Sequence, residues 1–279
     1  MRTPWVSVAV MTCVAVSAQG ISRAEAGRVL DVPGPVPTRV ERLVSHLHRV
    51  MPFVATDYRE RTVDDILQRG AGNCADHARV LKSLLESRGI QVRWIQEINL
   101  QSPSESRQAA ASAKAAERGN RMSVFGRRHN DHRWLEVWDP EARVWFPADS
   151  SIGVAGTEAW ASQRLGFSDR PVAVAEMIAP VFVEALPQPK EQVPRSTAYL
   201  IEGFDRAYGG RLARLGSWPR WASAVRTLES LASGAFRGEV DLHRHQKVFD
   251  DLANAYASLA SEARRANLTP TAHPSLEVP

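Results

Sequence analysis

Cys74, His132 and Asp149 are the side chains of this sequence whose types and order suit thiol chemistry. A cysteine attacks a carbonyl as its thiolate. The first turn of a helix favours that charge, because its backbone N–H groups are unpaired and lie at the positive end of the helix dipole. Asn73 and Asp76 stand three apart, the spacing of a reciprocal helix cap, so the sequence predicts a helix whose first turn holds Cys74. The same N–H groups can hold an oxyanion. The backbone N–H of Cys74 is the first such donor, with the amides of Asn73 and Gln68 as candidates for the second.

A thiol nucleophile also needs an imidazole to take and return its proton, and the imidazole needs an acceptor on its other nitrogen. Residues 133–139 and 143–149 alternate apolar and polar on either side of Asp139-Pro140-Glu141-Ala142, which suits a type I turn with proline second. The pattern predicts a β-hairpin. With the turn centred on Pro140 and Glu141, facing residues have numbers that sum to 281, and His132 with Asp149 is one such pair. Directly opposed residues share a face with Cβ atoms about 4.5–5.5 Å apart, close enough for a carboxylate to reach an imidazole. A slip of one residue would turn one of the two side chains away.

Gly72-Asn73-Cys74 followed by ADHARVLKSLLESRGIQVRW resembles the nucleophile segment of transglutaminase-like cysteine enzymes. His132-Arg133-Trp134-Leu135-Glu136-Val137 resembles their His-x-Trp-x-Glu strand, and Trp145 followed by Asp149 their closing Trp-and-Asp segment. The three segments come in that family's order and cover roughly residues 35–155. The resemblance implies a papain-like triad with Cys74 as nucleophile, His132 as general base and acid, and Asp149 as orienting carboxylate. It implies action on an amide bond of a peptide or protein. No cofactor is called for. The superfamily holds crosslinking enzymes, proteases, glycopeptide amidases and inactive members, so the acceptor stays open: water makes a hydrolase, an amine a transferase. Hydrolysis is the expectation here, and a catalytically silent binding scaffold is the alternative.

Several of these residues have other readings. Cys74-x-x-His77 and His129-x-x-His132 have the residue types and local spacings of a zinc site, which would consume the same thiol and imidazole. Helix geometry opposes it: at about 100° per residue His77 lies about 300° around from Cys74, so both face one centre only at the helix edge. His77 is then a partly exposed helix residue or a group close behind the thiol. Trp134, Trp138 and Trp145 read as packing residues, and Glu136 as the partner of an arginine. Asp149 alone could cap the turn at Ser150-Ser151. Arg121, Arg127 and Arg128 read as solvated charge.

The elements that must position this chemistry follow from periodicity. Val40, Leu43, Val44, Leu47 and Val50 recur at helical intervals behind Thr38 and Glu41, which predicts a helix over 38–50. Thr62 and Asp65 begin a short helix closed by Gly70, and the Cys74 helix runs over 75–88 to Gly89. A strand over 90–98 follows. The fold class expected is α+β, with the 38–50 and 75–88 helices packed on a small antiparallel sheet. Residues 99–131 form a long polar insertion. Beyond Thr157 the pattern is helical, near 157–165, 196–207, 218–233 and 240–265, and a Pro-rich tail from 268 to 279 is expected to be disordered.

The N-terminus places this chemistry in a compartment. Residues 5–18 are uncharged and apolar behind Arg2, too short to span a bilayer, and read as a secretory signal within residues 1–26. Val16-Ser17-Ala18 and Ala24-Glu25-Ala26 both offer a cleavage point, so the mature chain is expected to start near Gln19 or Gly27, exported to the periplasm or beyond, without a transmembrane span. Cys13 leaves with the signal, and Cys74 is then the single cysteine, so no intramolecular disulfide can form. The composition, 44% hydrophobic and 24% charged, is that of a folded chain. The net charge of +4 comes from 35 basic residues interleaved with 31 acidic ones, a pattern that argues against a nucleic-acid partner.

Overall fold

The computed structural model describes residues 20–54, 57, 59–99, 130–167, 181–184, 192–236, 240 and 242–271. The insertion from 100 to 129, with Arg121, Arg127, Arg128 and His129, lies outside the described residues, as do 1–19 and 272–279. Six strands form one sheet: β1 Val92–Asn99, β2 Asn130–Asp139, β3 Val144–Asp149, β4 Val154–Ala155, β5 Val181–Glu184 and β6 Gln192–Pro194. Their order is β4-β3-β2-β1-β5-β6, with every neighbouring pair antiparallel. The α+β class expected from the sequence is the one observed.

The sheet has a core on each face because β1, β2 and β3 alternate their side chains. Val92, Leu135, Val137, Phe146 and Ala148 pack with the N-terminal helices α1 Arg23–Arg28, α2 Val36–Val50, α3 Val63–Arg69 and α4 Cys74–Glu86. Ile95 and Trp134 turn the other way, into a second cluster. That cluster is built by α5 Thr157–Leu165, α6 Phe204–Ala207, α7 Trp218–Phe236 and α8 Gln246–Arg265. With Trp134, the residues Trp160, Tyr199, Phe204, Tyr208 and Trp221 are its fully buried aromatic residues. Among the described residues no helix is long and apolar enough to cross a membrane.

Most expected elements are present with shifted ends. Helix α2 begins at Val36, two residues before Thr38, and has no side-chain cap. Pro37 lies in its first turn, where proline's fixed φ suits the helix and its missing N–H is no loss. Helix α3 has the expected capping box between Thr62 and Asp65 and ends at Gly70 with φ +64°. Over 196–207 the chain forms a π-helical run, Ala198–Gly203, that continues into α6. Beyond Asn267, the Thr271 N–H and hydroxyl both donate to the Ala207 carbonyl at 2.8 Å, and Arg211 Nη2 donates to Thr269 at 2.7 Å. The segment from α1 to η-turn residue Leu30 is also built in, with Ala26 and Leu30 fully buried.

The hairpin departs from expectation by two residues. Leu135 faces Ala148 and Asp139 faces Val144, so facing numbers sum to 283, not 281. Asp139 Oδ1 accepts the N–H groups of Glu141 at 3.0 Å and Ala142 at 3.3 Å, and Arg143 adopts φ +56° before β3 begins. The turn is therefore a four-residue loop spanning 140–143, closed by a residue in the left-handed region.

Glu136, on the centre of β2, is fully buried between two arginines. Arg93, its register partner on β1, donates from Nη2 at 2.6 Å, and Arg195 donates from Nη2 at 2.8 Å. The Arg93 guanidinium also lies over the Trp145 ring, 4.2 Å from its centroid. Trp138 and Trp145 are register partners with ring centroids 5.4 Å apart. Glu136→Gln leaves two buried cations without their counter-charge and is expected to cost about 3–5 kcal/mol in urea unfolding. Lys247→Ala, which breaks an exposed pair with Asp251, is expected to cost at most about 0.5 kcal/mol. Equal effects of the two substitutions would refute this account of the sheet centre.

Candidate functional site

The nucleophile segment is held from both sides. Val54 N–H donates to the Gly72 carbonyl at 2.9 Å and Gly72 N–H to Pro52 at 3.2 Å, so residues 52–54 fix the approach to α4. Gly72 cannot carry a side chain there, because a Cβ would sit 2.7 Å from Cβ of Asp76. That closeness follows from the cap. Asn73 Oδ1 accepts the N–H groups of Ala75 at 2.9 Å and Asp76 at 3.1 Å, and Asp76 Oδ2 accepts the Asn73 N–H at 3.3 Å. Cys74 is the first residue of α4, half-buried, with its own N–H outside this reciprocal cap.

His132 and Asp149 meet although they are not register partners. The observed register differs from the expected one by two residues, and an even shift keeps both side chains on one face of the sheet. The pair is diagonal, a separation that long or aromatic side chains can span. His132 Nε2 and Asp149 Oδ2 are 2.6 Å apart. The other carboxylate oxygen, Oδ1, accepts from Ser151 N–H at 3.0 Å and from the Ser151 hydroxyl at 2.6 Å. Asp149 thus both caps the following turn and binds the imidazole, one oxygen for each. The remaining partner of the His132 ring is the thiol of Cys74. With Nε2 taken, the nitrogen turned to the sulfur is Nδ1.

The charges reinforce one another. Burial, the largest influence on His132, works against its charged form, but the Asp149 charge and hydrogen bond, with Cys74, raise its pKa to about 10. Burial likewise pushes Asp149 upward, and the His132 charge, its hydrogen bond and the Ser151 hydroxyl outweigh it and hold the carboxyl below its ordinary value. The arrangement favours an imidazolium next to a carboxylate, with the thiol as the group that can accept or supply the compensating charge.

The remaining candidates fall out as follows. The side-chain oxygen of Asn73 is committed to the cap of α4. Gln68 is exposed on α3, and among the described residues no hydrogen bond ties it to Cys74, His132 or Asp149. His77 is buried, which rules out the partly exposed one of the two positions expected for it, with Nδ1 3.3 Å from the Ser150 hydroxyl. Burial lowers its pKa to about 4, so the ring is neutral. His48 Nδ1 lies 3.3 Å from the Ser150 carbonyl, so two imidazoles brace the turn after Asp149. Among the described residues no group of three or more His, Cys, Asp or Glu side chains could hold a metal, and His129 lies outside them. The Asp149 cap on the Ser150-Ser151 turn is the one the sequence offered, whereas sequence reasoning missed His48 and its contact with Ser150, 102 positions away, which no local pattern announces.

The charged pair links stability to pH with a definite sign. His132, whose pKa is raised, adds stability fully below its unfolded value of about 6.5 and loses it as pH climbs through about 10. Asp149, whose pKa is lowered, adds stability fully above its unfolded value of about 3.9 and loses it as pH falls. The urea-unfolding free energy of the protein relative to a His132→Ala/Asp149→Ala variant is expected to peak between about pH 4 and 6.5 and to shrink on both sides. A difference that stays flat from acid to alkaline pH would show that the pair carries no such charge.

Comparison with known proteins gives one family and several distant structural likenesses. Residues 28–150 match the model of the transglutaminase-like superfamily. No curated protein matches the chain. Among solved structures, a "putative cysteine protease" from Cytophaga hutchinsonii is similar at 15% identity, with a TM-score of 0.32 over 47% of this chain and 37% of that one. A chain of Rad4-Rad23 bound to a 6-4 photoproduct UV lesion is similar at 12% identity and a TM-score of 0.32, over 85% of this chain and 53% of that one. The chain therefore spans about half or less of the length of these structures. The segment from 28 to 150, which carries the capped thiol helix and the His-x-Trp-x-Glu strand, is the part of this chain that matches the transglutaminase-like superfamily.

Proposed function

We propose that the protein is an exported cysteine enzyme that cleaves an amide bond in a peptide or protein through Cys74, His132 and Asp149. The observation that carries this reading is the His132 ring, with Nε2 on the Asp149 carboxylate and the Cys74 thiol as its other partner. His132 takes the thiol proton, and the thiolate adds to the substrate carbonyl carbon. The carbonyl oxygen becomes an oxyanion at the N-terminus of α4, where the Cys74 N–H, outside the reciprocal cap, is the backbone donor assigned to it. His132 then gives its proton to the amide nitrogen, the C–N bond breaks, and an amine leaves behind a thioester on Cys74. Water, deprotonated by the same imidazole, attacks the thioester carbon and releases an acid and the free thiol. Asp149 holds the ring in the orientation and protonation state each transfer needs. An amine in place of water would make the same centre a transferase. Hydrolysis is preferred because an exported enzyme meets abundant water and no side chain among the described residues marks an amine-binding site.

Thiol reactivity tests this reading. At about pH 5.5 Cys74 is expected to react with iodoacetamide far faster than a model thiol, whose pKa of about 8.5 leaves little thiolate. His132→Ala should remove most of that advantage, and Asp149→Asn should lower amide turnover by on the order of 10²–10⁴-fold. An activity-based probe for cysteine hydrolases should label the protein and spare Cys74→Ala. Ordinary thiol reactivity in the wild type would favour the binding scaffold.

Export is part of the same reading, and the fold bears on where the signal is removed. Cleavage after Ala26 would cut through α1, whose Ser22 side chain accepts the Glu25 N–H and whose Ala26 is fully buried against the N-terminal core. Cleavage after Ala18 leaves that helix whole. N-terminal sequencing of the mature protein is expected to begin at Gln19, and a start at Gly27 would contradict this.

A further inference from the structure

Tyr199 belongs to the π-helical run in the helical half, outside the superfamily segment in sequence, yet its hydroxyl contacts side chains of the strand that carries His132. Trp134 Nε1–H donates to Tyr199 Oη at 3.2 Å. The Tyr199 hydroxyl in turn bonds to the Glu136 carboxylate, which Arg93 and Arg195 clamp. Trp134 is fully buried, with the Tyr199 ring edge-on at 5.9 Å and the Trp160 ring at 5.5 Å. Its outer neighbour is the His132 ring, 5.3 Å away and tilted by 30°. His132, Trp134 and Glu136 alternate on one face of β2, so a contact that fixes the middle residue also fixes the wall against which the imidazole rests.

We infer that Tyr199 is a positioning residue for the His132 imidazole, acting through Trp134, and that the helical half completes the reactive centre instead of merely covering the sheet. This rests on the proposed thiol chemistry. The physical reason is that one hydroxyl satisfies two buried groups at once, the Trp134 donor and the Glu136 acceptor. A tryptophan with a free Nε1–H can rotate to seek another acceptor, and the imidazole plane moves with it. An imidazole turned from the line between sulfur and carboxylate stabilises the thiolate less, so the loss appears in the pH profile of the thiol.

The test is the pH dependence of iodoacetamide alkylation of Cys74 in the full-length mature protein, with thermal unfolding recorded alongside. Tyr199→Phe keeps the ring and removes only the hydroxyl. It is expected to move the acid limb of the profile upward by about half a pH unit or more, roughly threefold in rate at fixed acidic pH. Trp134→Phe should produce a similar shift. The double variant should be no worse than Trp134→Phe alone, because the two residues act in series. A wild-type profile for folded Tyr199→Phe overturns the inference, as do additive shifts in the double variant. Should Tyr199→Phe fail to fold, an unshifted Trp134→Phe profile overturns it independently. An unactivated thiol in the wild type would remove the parent reading, whereas an activated wild type with an unshifted Tyr199→Phe removes this inference alone.

Discussion

The His132 imidazole must reach the Asp149 carboxylate with Nε2 while its other nitrogen stays open to the Cys74 thiol, and most of the structure can be understood from that constraint. The ring comes from β2, the carboxylate from the end of β3 and the thiol from the first turn of α4. Only a sheet with a helix end brought up against it joins three such stretches. Each is locked locally: α4 by its reciprocal cap, Asp149 by the two Ser151 donors, and the hairpin by the Asp139 turn. The local locks matter because orienting groups lose their value with small displacements.

Burial sets the cost of this arrangement. Asp149 and Glu136 are buried carboxylates on the same sheet, and each is tolerated only because cationic or hydroxyl donors surround it. The two differ in what their partners can do. Arginine is not a proton-transfer group, and the two that clamp Glu136 make that cluster a fixed post in the middle of the sheet. The partner of Asp149 is an imidazole, whose proton can be passed to a neighbour. One face of β2 thus carries an ion cluster and, four residues away, a titratable imidazole, with Trp134 between them.

Much of the site is legible in the chain. The Asn73-to-Asp76 spacing placed Cys74 at a helix start, and alternation about Pro140 placed His132 and Asp149 on facing strands. The register came out two residues away from the expected one, because Arg143 takes a left-handed conformation that its side chain does not advertise. The face survived since side-chain direction in a strand repeats every second residue. His77 illustrates the opposite case: helical angle alone suggested an edge position, but the sheet turn at Ser150 packs over it and buries it.

What the sequence determined by itself are the features with short range: caps, turn residues, helix periodicity and strand alternation. These follow from hydrogen bonds and side-chain directions within a few residues. Only the tertiary structure decided that His48 and His77 close on Ser150 behind the carboxylate, that Arg195 closes on Glu136, and that Tyr199 bonds to Trp134. Those contacts join residues tens of positions apart, and their geometry depends on how two helical layers settle on opposite faces of one sheet, which no local pattern encodes.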